Sequence, residues 1–267
     1  MGGRNTTRDI RELYREGEPI AMVTCYDYAF AKLVDRAGLD AVLIGDSLGN
    51  VVQGEETTLP VTLDEIVYHA RAVGRGTENA HVIADLPFMS YQVSVEEAVR
   101  NAGRVLKESA VQAVKVEGGR EVVPAVERMV EVGIPVMGHL GLTPQSIHEV
   151  GGYRVQGRED EAADELIEDA RALEEAGVYS LVLEMVPSEL AARVTRAVDV
   201  PTIGIGAGDE TDGQVLVLHD LLGMDDDFQA TFVKEYADVS GTVVDALRRY
   251  AGEVRSGAFP EDDHSFD

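Results

Sequence analysis

Short apolar runs alternate with helix-patterned stretches along almost the whole chain, and that rhythm leaves few folds open. The runs are Ile20 to Cys25, Ala41 to Ile44, His81 to Ala84, Ala113 to Val116, Pro135 to Leu140, Ser180 to Leu183 and Thr202 to Ile205. Brief aliphatic runs closed by Gly, Pro or Asp read as strands buried on both faces, the habit of parallel sheets. Between them, Asp27 caps a helix from Tyr28 to Ala37 that Gly38 stops. Thr62 with Glu65 forms a capping box for a helix running to about Arg75, and Ser94 with Glu97 forms another. Further helices are predicted over 121–132 and 161–176, and from Ser188 as a cap. Gln214 to Leu222 is apolar enough for a strand or a buried helix. Reading it as helix leaves Thr231 to Tyr236 as the eighth strand, directly before a last helix over 241–254. Eight strand–helix alternations without a break in composition predict one domain over 1–267, a (β/α)8 TIM barrel of the α/β class. A helical arm at about 6–17 precedes it, and a polar, acidic tail follows over about 256–267.

Charge narrows the partners. The formal net charge is −26, with 49 Asp and Glu against 23 Lys and Arg, so nucleic acid is excluded as a partner class. The acids are spread over helix faces, and the only lysines are Lys32, Lys107, Lys115 and Lys234. Such a surface suits a high-salt, halophilic cytoplasm, where screening suppresses self-repulsion. No apolar run approaches the roughly 20 residues of a membrane span. MGGRNTTRDIRELYREG lacks a signal-peptide core, and the single Cys25 suits a reducing compartment, so a cytoplasmic location away from membranes is expected. GIGAG at 204–208 lies late in the chain with no acidic ribose partner after it, which argues against a dinucleotide site.

The C-terminal ends of the strands carry the chemistry. They present Asp46 and Ser47, then Asp85, then Lys115 and Glu117, then His139, then Glu184. In a barrel these tips converge on one cavity. Ionisable groups beside apolar strand cores are costly unless paired or metal-bound, so one has a bland explanation and six in succession do not. Asp46, Asp85 and Glu117 are hard oxygen ligands suited to Mg²⁺, while a Cys/His zinc site lacks cysteine partners. Lys115 and His139 can steady an anion or enolate, and Glu184 is placed as a general base. The plainer alternatives remain open: a salt bridge for Lys115, a core histidine in His139, and a purely orienting role for Glu117. The long excursion after the fifth strand, through Gly151-Gly152-Tyr153, reads as a functional loop.

Taken together, these segments resemble the ketopantoate hydroxymethyltransferase (3-methyl-2-oxobutanoate hydroxymethyltransferase) family. The resemblance is carried by TCYDY at 24–28, GDSLG at 45–49, TTLPVTLDE at 57–65 and ADLPFMSY at 84–91. NAGRVLKE at 101–108, VKVEGG at 114–119, PVMGHLGLTPQS at 135–146 and GGYRVQG at 151–157 extend it. LVLEMVP at 181–187, PTIGIGAG at 201–208, DGQVLVLHDLLG at 212–223 and FVKEYAD at 232–238 carry it nearly to the end.

The resemblance implies metal-binding carboxylates at Asp46 and Asp85, with Glu117 in the outer metal shell. It implies keto-acid contacts at Asp46, Ser47, Asp85 and Lys115, with His139 close by, and a proton acceptor at Glu184. It also implies a Mg²⁺-stabilised enolate, 5,10-methylenetetrahydrofolate as co-substrate, 3-methyl-2-oxobutanoate as substrate, a place in pantothenate synthesis and a large homo-oligomer. Cys25, Arg154 and Asp209 depart from the family pattern, the last two on the folate side. Two rivals share part of this pattern. One is a Mg²⁺-dependent 2-oxo-acid lyase or mutase on the same barrel, and the other is a non-catalytic keto-acid sensor. Dependence on a one-carbon donor separates the first, and turnover the second.

Overall fold

A computed structural model describes residues 3–225 and 230–266. The chain divides into a unit of residues 1–217 and a smaller one of 218–267.

The first unit opens with helix α1 (Thr7–Glu16) and β1 (Ile20–Thr24). There follow α2 (Tyr28–Ala37), β2 (Ala41–Ile44), α3 (Leu63–Gly76), β3 (His81–Asp85), α4 (Val95–Glu108) and β4 (Ala113–Glu117). After α5 (Val123–Glu131) and β5 (Val136–Gly141) come the short α6 (Ile147–Val150), then α7 (Asp160–Glu175), β6 (Ser180–Glu184), α8 (Ser188–Thr195), β7 (Thr202–Ile205) and β8 (Gly213–Leu216). All eight strands are parallel and close in sequence order, β8 pairing with both β7 and β1. The expected (β/α)8 barrel is therefore present. The capping box of Thr62 and Glu65 opens α3 as anticipated. Ser188, by contrast, is the first residue of α8 behind Pro187 and makes no side-chain cap. The loop after β2 holds one π-helical turn, Gly49–Gln53.

The eighth strand lies elsewhere than expected. It is Gly213–Leu216, and Thr231 to Tyr236 form a turn and irregular chain without strand pairing. The rhythm misleads here because no helix separates β7 from β8. A short loop makes the crossing, stapled by Asp212 Oδ2, which accepts from Thr202 N at 2.8 Å and Thr202 Oγ1 at 2.9 Å. Gly213 permits the closure, since a Cβ there would meet the Ile20 carbonyl and lie 2.8 Å from Ile20 Cβ. Only Leu218–Leu221 of the stretch read as helix is helical, as α9.

Side chains alternate across each strand. Met22, Leu43, Ile83, Met137, Val182, Ile203 and Val215 fill the interior, and α1 contributes Ile10 to the same cluster. The N-terminal arm is thus a packed plug rather than a frayed end. Within that interior, His81 is fully buried. Its Nδ1 faces the Asn5 carbonyl at 3.2 Å, so it must carry the proton, and Nε2 then accepts from the Tyr179 hydroxyl at 3.1 Å. Burial pushes the imidazole down to about 4. The unfolded chain, with a histidine near 6.5, therefore binds a proton between about pH 6.5 and 4 that the folded chain refuses. Stability from this residue is present above pH 6.5 and is lost as pH falls towards 4. That gap corresponds to roughly 3 kcal/mol once both states are protonated. Urea melts of wild type and His81→Gln from pH 7 to 4 should show a shallower acid loss in the variant; parallel curves would remove His81 as the cause.

In the second unit, α10 (Val239–Ser256) starts from Asp238, whose side chain accepts from Gly241 N, and ends at Gly257. Tyr250 meets Phe259 edge-on beyond it.

Candidate active site

Parallel register delivers the polar residues of neighbouring strands side by side at one end of the barrel. Asp85 pairs with Lys115, and Glu117 with His139. Gly45 ends β2 and lets the chain turn tightly, because a Cβ there would sit 2.6 Å from Ser47 Oγ. The turn points Asp46 N at Asp85 Oδ2, 3.0 Å away. Ser47 Oγ meets the Tyr26 hydroxyl at 2.8 Å.

Lys115 is the hub. Its Nζ lies 2.9 Å from Asp85 Oδ1, 3.8 Å from Glu117 Oε1 and 3.1 Å from His139 Nδ1. His139 reaches Glu117 Oε1 through Nδ1 and Glu184 Oε2 through Nε2, both at 3.3 Å. The six ionisable residues read from the sequence therefore stand in one connected cluster. Asp46, Asp85, Lys115, Glu117 and His139 are all buried, whereas the Glu184 side chain is 16 % exposed. Of these acids Glu184 alone is only partly buried.

The electrostatics follow from that crowding. Burial pushes the Asp46 carboxyl well above its usual range, and Asp85 and Glu117 push the same way. Burial pulls Lys115 down, but Asp85, Glu117 and Asp46 outweigh it and hold the ammonium charged. For His139, burial and Lys115 act downward, yet the Glu117 and Glu184 carboxylates win and move it up to about 9. Glu117 is drawn below its ordinary value, since His139, Lys115 and the Gln145 N–H overcome its burial. Asp85 is raised as well, by its burial and by Glu117 against the pull of Lys115.

Two of the neighbours that hold this cluster are neutral and were not singled out by sequence reasoning. Gln145 sits in the turn after β5 and donates from Nε2 to Asp46 Oδ2 at 2.9 Å, while its backbone N–H donates to Glu117 Oε2 at 3.0 Å. The Tyr91 hydroxyl lies 2.8 Å from Gln145 Oε1 and accepts from Glu117 N at 3.1 Å. Their only advance signal was position, in PVMGHLGLTPQS and ADLPFMSY. The Gly-Gly-Tyr loop also bears on the site. Burial raises the Tyr153 phenol, and the charges of Glu184, Asp46 and Glu117 add to it, so the ring stands within their field. Gln156 N ties that loop to Met185 O at 2.9 Å.

Residues 4–262 match the model of a single protein family, described as ketopantoate hydroxymethyltransferase. The chain belongs to that family. Curated relatives agree along its length. A 3-methyl-2-oxobutanoate hydroxymethyltransferase of Syntrophotalea carbinolica is 53% identical, with 100% of each chain covered. One of Syntrophus aciditrophicus is 56% identical over 99% of this chain and 97% of its own. One of Salinibacter ruber is 56% identical over 98% and 99%. Among solved structures, a phosphonopyruvate hydrolase complex with oxalate and Mg²⁺ aligns at TM-score 0.63 and 12% identity, covering 98% of this chain and 92% of that one. A 2,3-dimethylmalate lyase aligns at TM-score 0.60 and 18% identity, covering 98% and 91%. At such identities these two structures establish a shared barrel fold and no more. Of the motifs quoted from the sequence, GDSLG, ADLPFMSY, VKVEGG, PVMGHLGLTPQS and LVLEMVP lie along the strand ends and turns that build the cluster, while NAGRVLKE lies within α4.

Proposed function

We infer that this family member carries out the transfer for which its relatives are named, adding a hydroxymethyl group to 3-methyl-2-oxobutanoate in pantothenate synthesis. The observation that carries the reading is the linked cluster at the strand ends, in which a single acid, Glu184, stays partly exposed.

The donor set fits a divalent cation. Asp46 and Asp85 offer hard oxygens, brought together where Asp46 N meets Asp85 Oδ2. Among the described residues, no three His, Cys, Asp or Glu side chains are grouped to hold a metal ion. Mg²⁺ matches that economy, because it is usually bound by one or two carboxylates and completes its shell with water and substrate oxygens. A cation held by Asp46 and Asp85 supplies Lewis-acid polarisation of the 2-oxo group. Glu117, 3.8 Å from Lys115 Nζ, would orient that lysine and would support the bound cation without being one of its direct ligands.

The chain's own residues then divide the work. Asp46, Ser47, Asp85 and Lys115 bind and orient the keto acid. Glu184 takes the C3 proton, and Lys115 with His139 steadies the negative charge that develops on the 2-oxo oxygen. The carbon of the one-carbon donor, 5,10-methylenetetrahydrofolate, bonds to C3; water supplies the hydroxyl oxygen, and tetrahydrofolate leaves with 2-dehydropantoate as product. A lyase or mutase reading has only fold likeness at 12–18% identity behind it, against more than 50% along the whole chain for the transferase.

Incubation with excess chelator is expected to abolish formation of 2-dehydropantoate from keto acid and methylenetetrahydrofolate. Mg²⁺, Mn²⁺ or Co²⁺ should restore it. Full activity in chelator would refute the metal assignment of Asp46 and Asp85, and absence of product under every metal condition would refute the transfer itself.

A further inference from the structure

We propose that Gln145 is a positioning residue that presets the carboxylate of Asp46 for the cation, acting from the opposite side of the barrel mouth. The inference rests on the reading of Asp46 as a metal-holding group.

Gln145 reaches Asp46 across 99 positions of sequence, from the turn after β5 to the end of β2. Those two strands are not neighbours in the sheet. The side chain therefore spans the mouth rather than joining an adjacent pair. Every hydrogen-bonding position on its amide is used. Nε2 donates one proton to Asp46 Oδ2 at 2.9 Å and the other to the Leu86 carbonyl at 3.0 Å. Oε1 accepts from Gln92 Nε2 at 3.1 Å and lies 2.8 Å from the Tyr91 hydroxyl, whose single proton is shared with the Glu117 carbonyl at 3.0 Å. The two acceptors before the nitrogen define which way the amide points. A flipped amide would turn its oxygen towards Asp46 Oδ2 and the Leu86 carbonyl and lose both donations, and the residue is 5 % exposed, so water could not replace them readily.

The consequence reaches both sides of the cluster. Asp46 Oδ2 is committed to Gln145, which leaves Oδ1 as the oxygen turned to other duty. Leu86 follows Asp85 directly, so the same Nε2 fixes the backbone beside the second carboxylate. The backbone N–H of Gln145 meanwhile holds Glu117 Oε2. One residue thus sets the spacing of three acids that repel one another. Groups that orient ligating carboxylates in this way typically govern metal affinity by about 10–100-fold.

The probe is Mn²⁺ alone, titrated into the substrate-free full chain and followed by electron paramagnetic resonance. Gln145→Met keeps the length of the side chain and removes the bonds of its amide. It should raise the Mn²⁺ Kd about 10–100-fold, raise the keto-acid KM at limiting Mn²⁺, and regain much of kcat at saturating Mn²⁺. Tyr91→Phe removes the hydroxyl beside Oε1 and should move Kd in the same direction by less. A role confined to holding the fold would lower the melting temperature and leave Kd where it was. Unchanged Kd in folded Gln145→Met overturns the proposal; if that variant does not fold, unchanged Kd in Tyr91→Phe does so. A wild-type chain that binds no Mn²⁺ fails earlier, because it overturns the metal reading itself and the inference with it.

Discussion

Replacing Glu184 by glutamine is expected to stop removal of the C3 proton while leaving keto-acid binding in place. The side chain ends β6, keeps part of its surface open and meets the cluster through His139 Nε2 at 3.3 Å. None of the bonds that hold Asp46, Asp85 or Lys115 passes through it. Glutamine preserves its shape and its reach to His139 but cannot accept a proton. Loss of a general base typically costs about 10²–10⁴-fold in rate. The direct readout is exchange of the substrate's C3 proton with deuterated solvent, in the absence of any one-carbon donor. Wild type should exchange it, and Glu184→Gln should do so slower by that factor with little change in keto-acid affinity. Exchange at the wild-type rate would place the base elsewhere.

The second large effect belongs to Lys115→Met. Methionine matches the length of the stem but removes the charge that separates Asp85 from Glu117. Breaking a buried ion pair by deleting one partner costs about 3–5 kcal/mol, because the other charge stays behind unpaired. Here the residual is worse than one acid, since Asp46 already feels Asp85 and Glu117. Stabilisation of the developing oxyanion is lost as well, which for one donor is worth about 10²–10³-fold in kcat. A divalent cation should partly replace the missing charge, so Mg²⁺ is expected to raise the melting temperature of Lys115→Met more than that of wild type. Thermal melts with and without Mg²⁺, beside steady-state kinetics, check both halves. A variant as stable and active as wild type would reduce Lys115 to an incidental salt bridge.

The two classes of site residue differ in how visible they were before folding. Asp46, Asp85, Lys115, Glu117, His139 and Glu184 announced themselves because a charge at the end of an apolar strand is costly, so its presence needs a reason. Gln145 and Tyr91 carry no such penalty in an extended chain. A neutral amide or phenol looks the same whether it ends on the surface or holds two carboxylates, and only their burial at 5 % and 3 % tells the cases apart. Tyr26 beside Ser47 belongs to the same class. His81 was read simply as the first residue of a strand. Its pairing with Tyr179, 98 positions away, exists only because the barrel closes.

The sequence by itself determined the strands β1 to β7, the parallel barrel and the set of ionisable groups at its mouth. Each depends on local signals: apolar runs, caps, and charges beside them. Tertiary structure alone decided where the ring closes. Gly213–Leu216, with a glycine and a glutamine in four residues, has little strand character of its own, and Thr231 to Tyr236 has more. The first becomes β8 because Ile20 to Val23 and Ile203 to Gly204 offer it unpaired backbone on both sides, and Gly213 is small enough to approach them. Sheet closure is a pairing between distant segments, and no window of sequence contains both partners. The same holds for the span from Gln145 to Asp46, which exists only once the ring is shut.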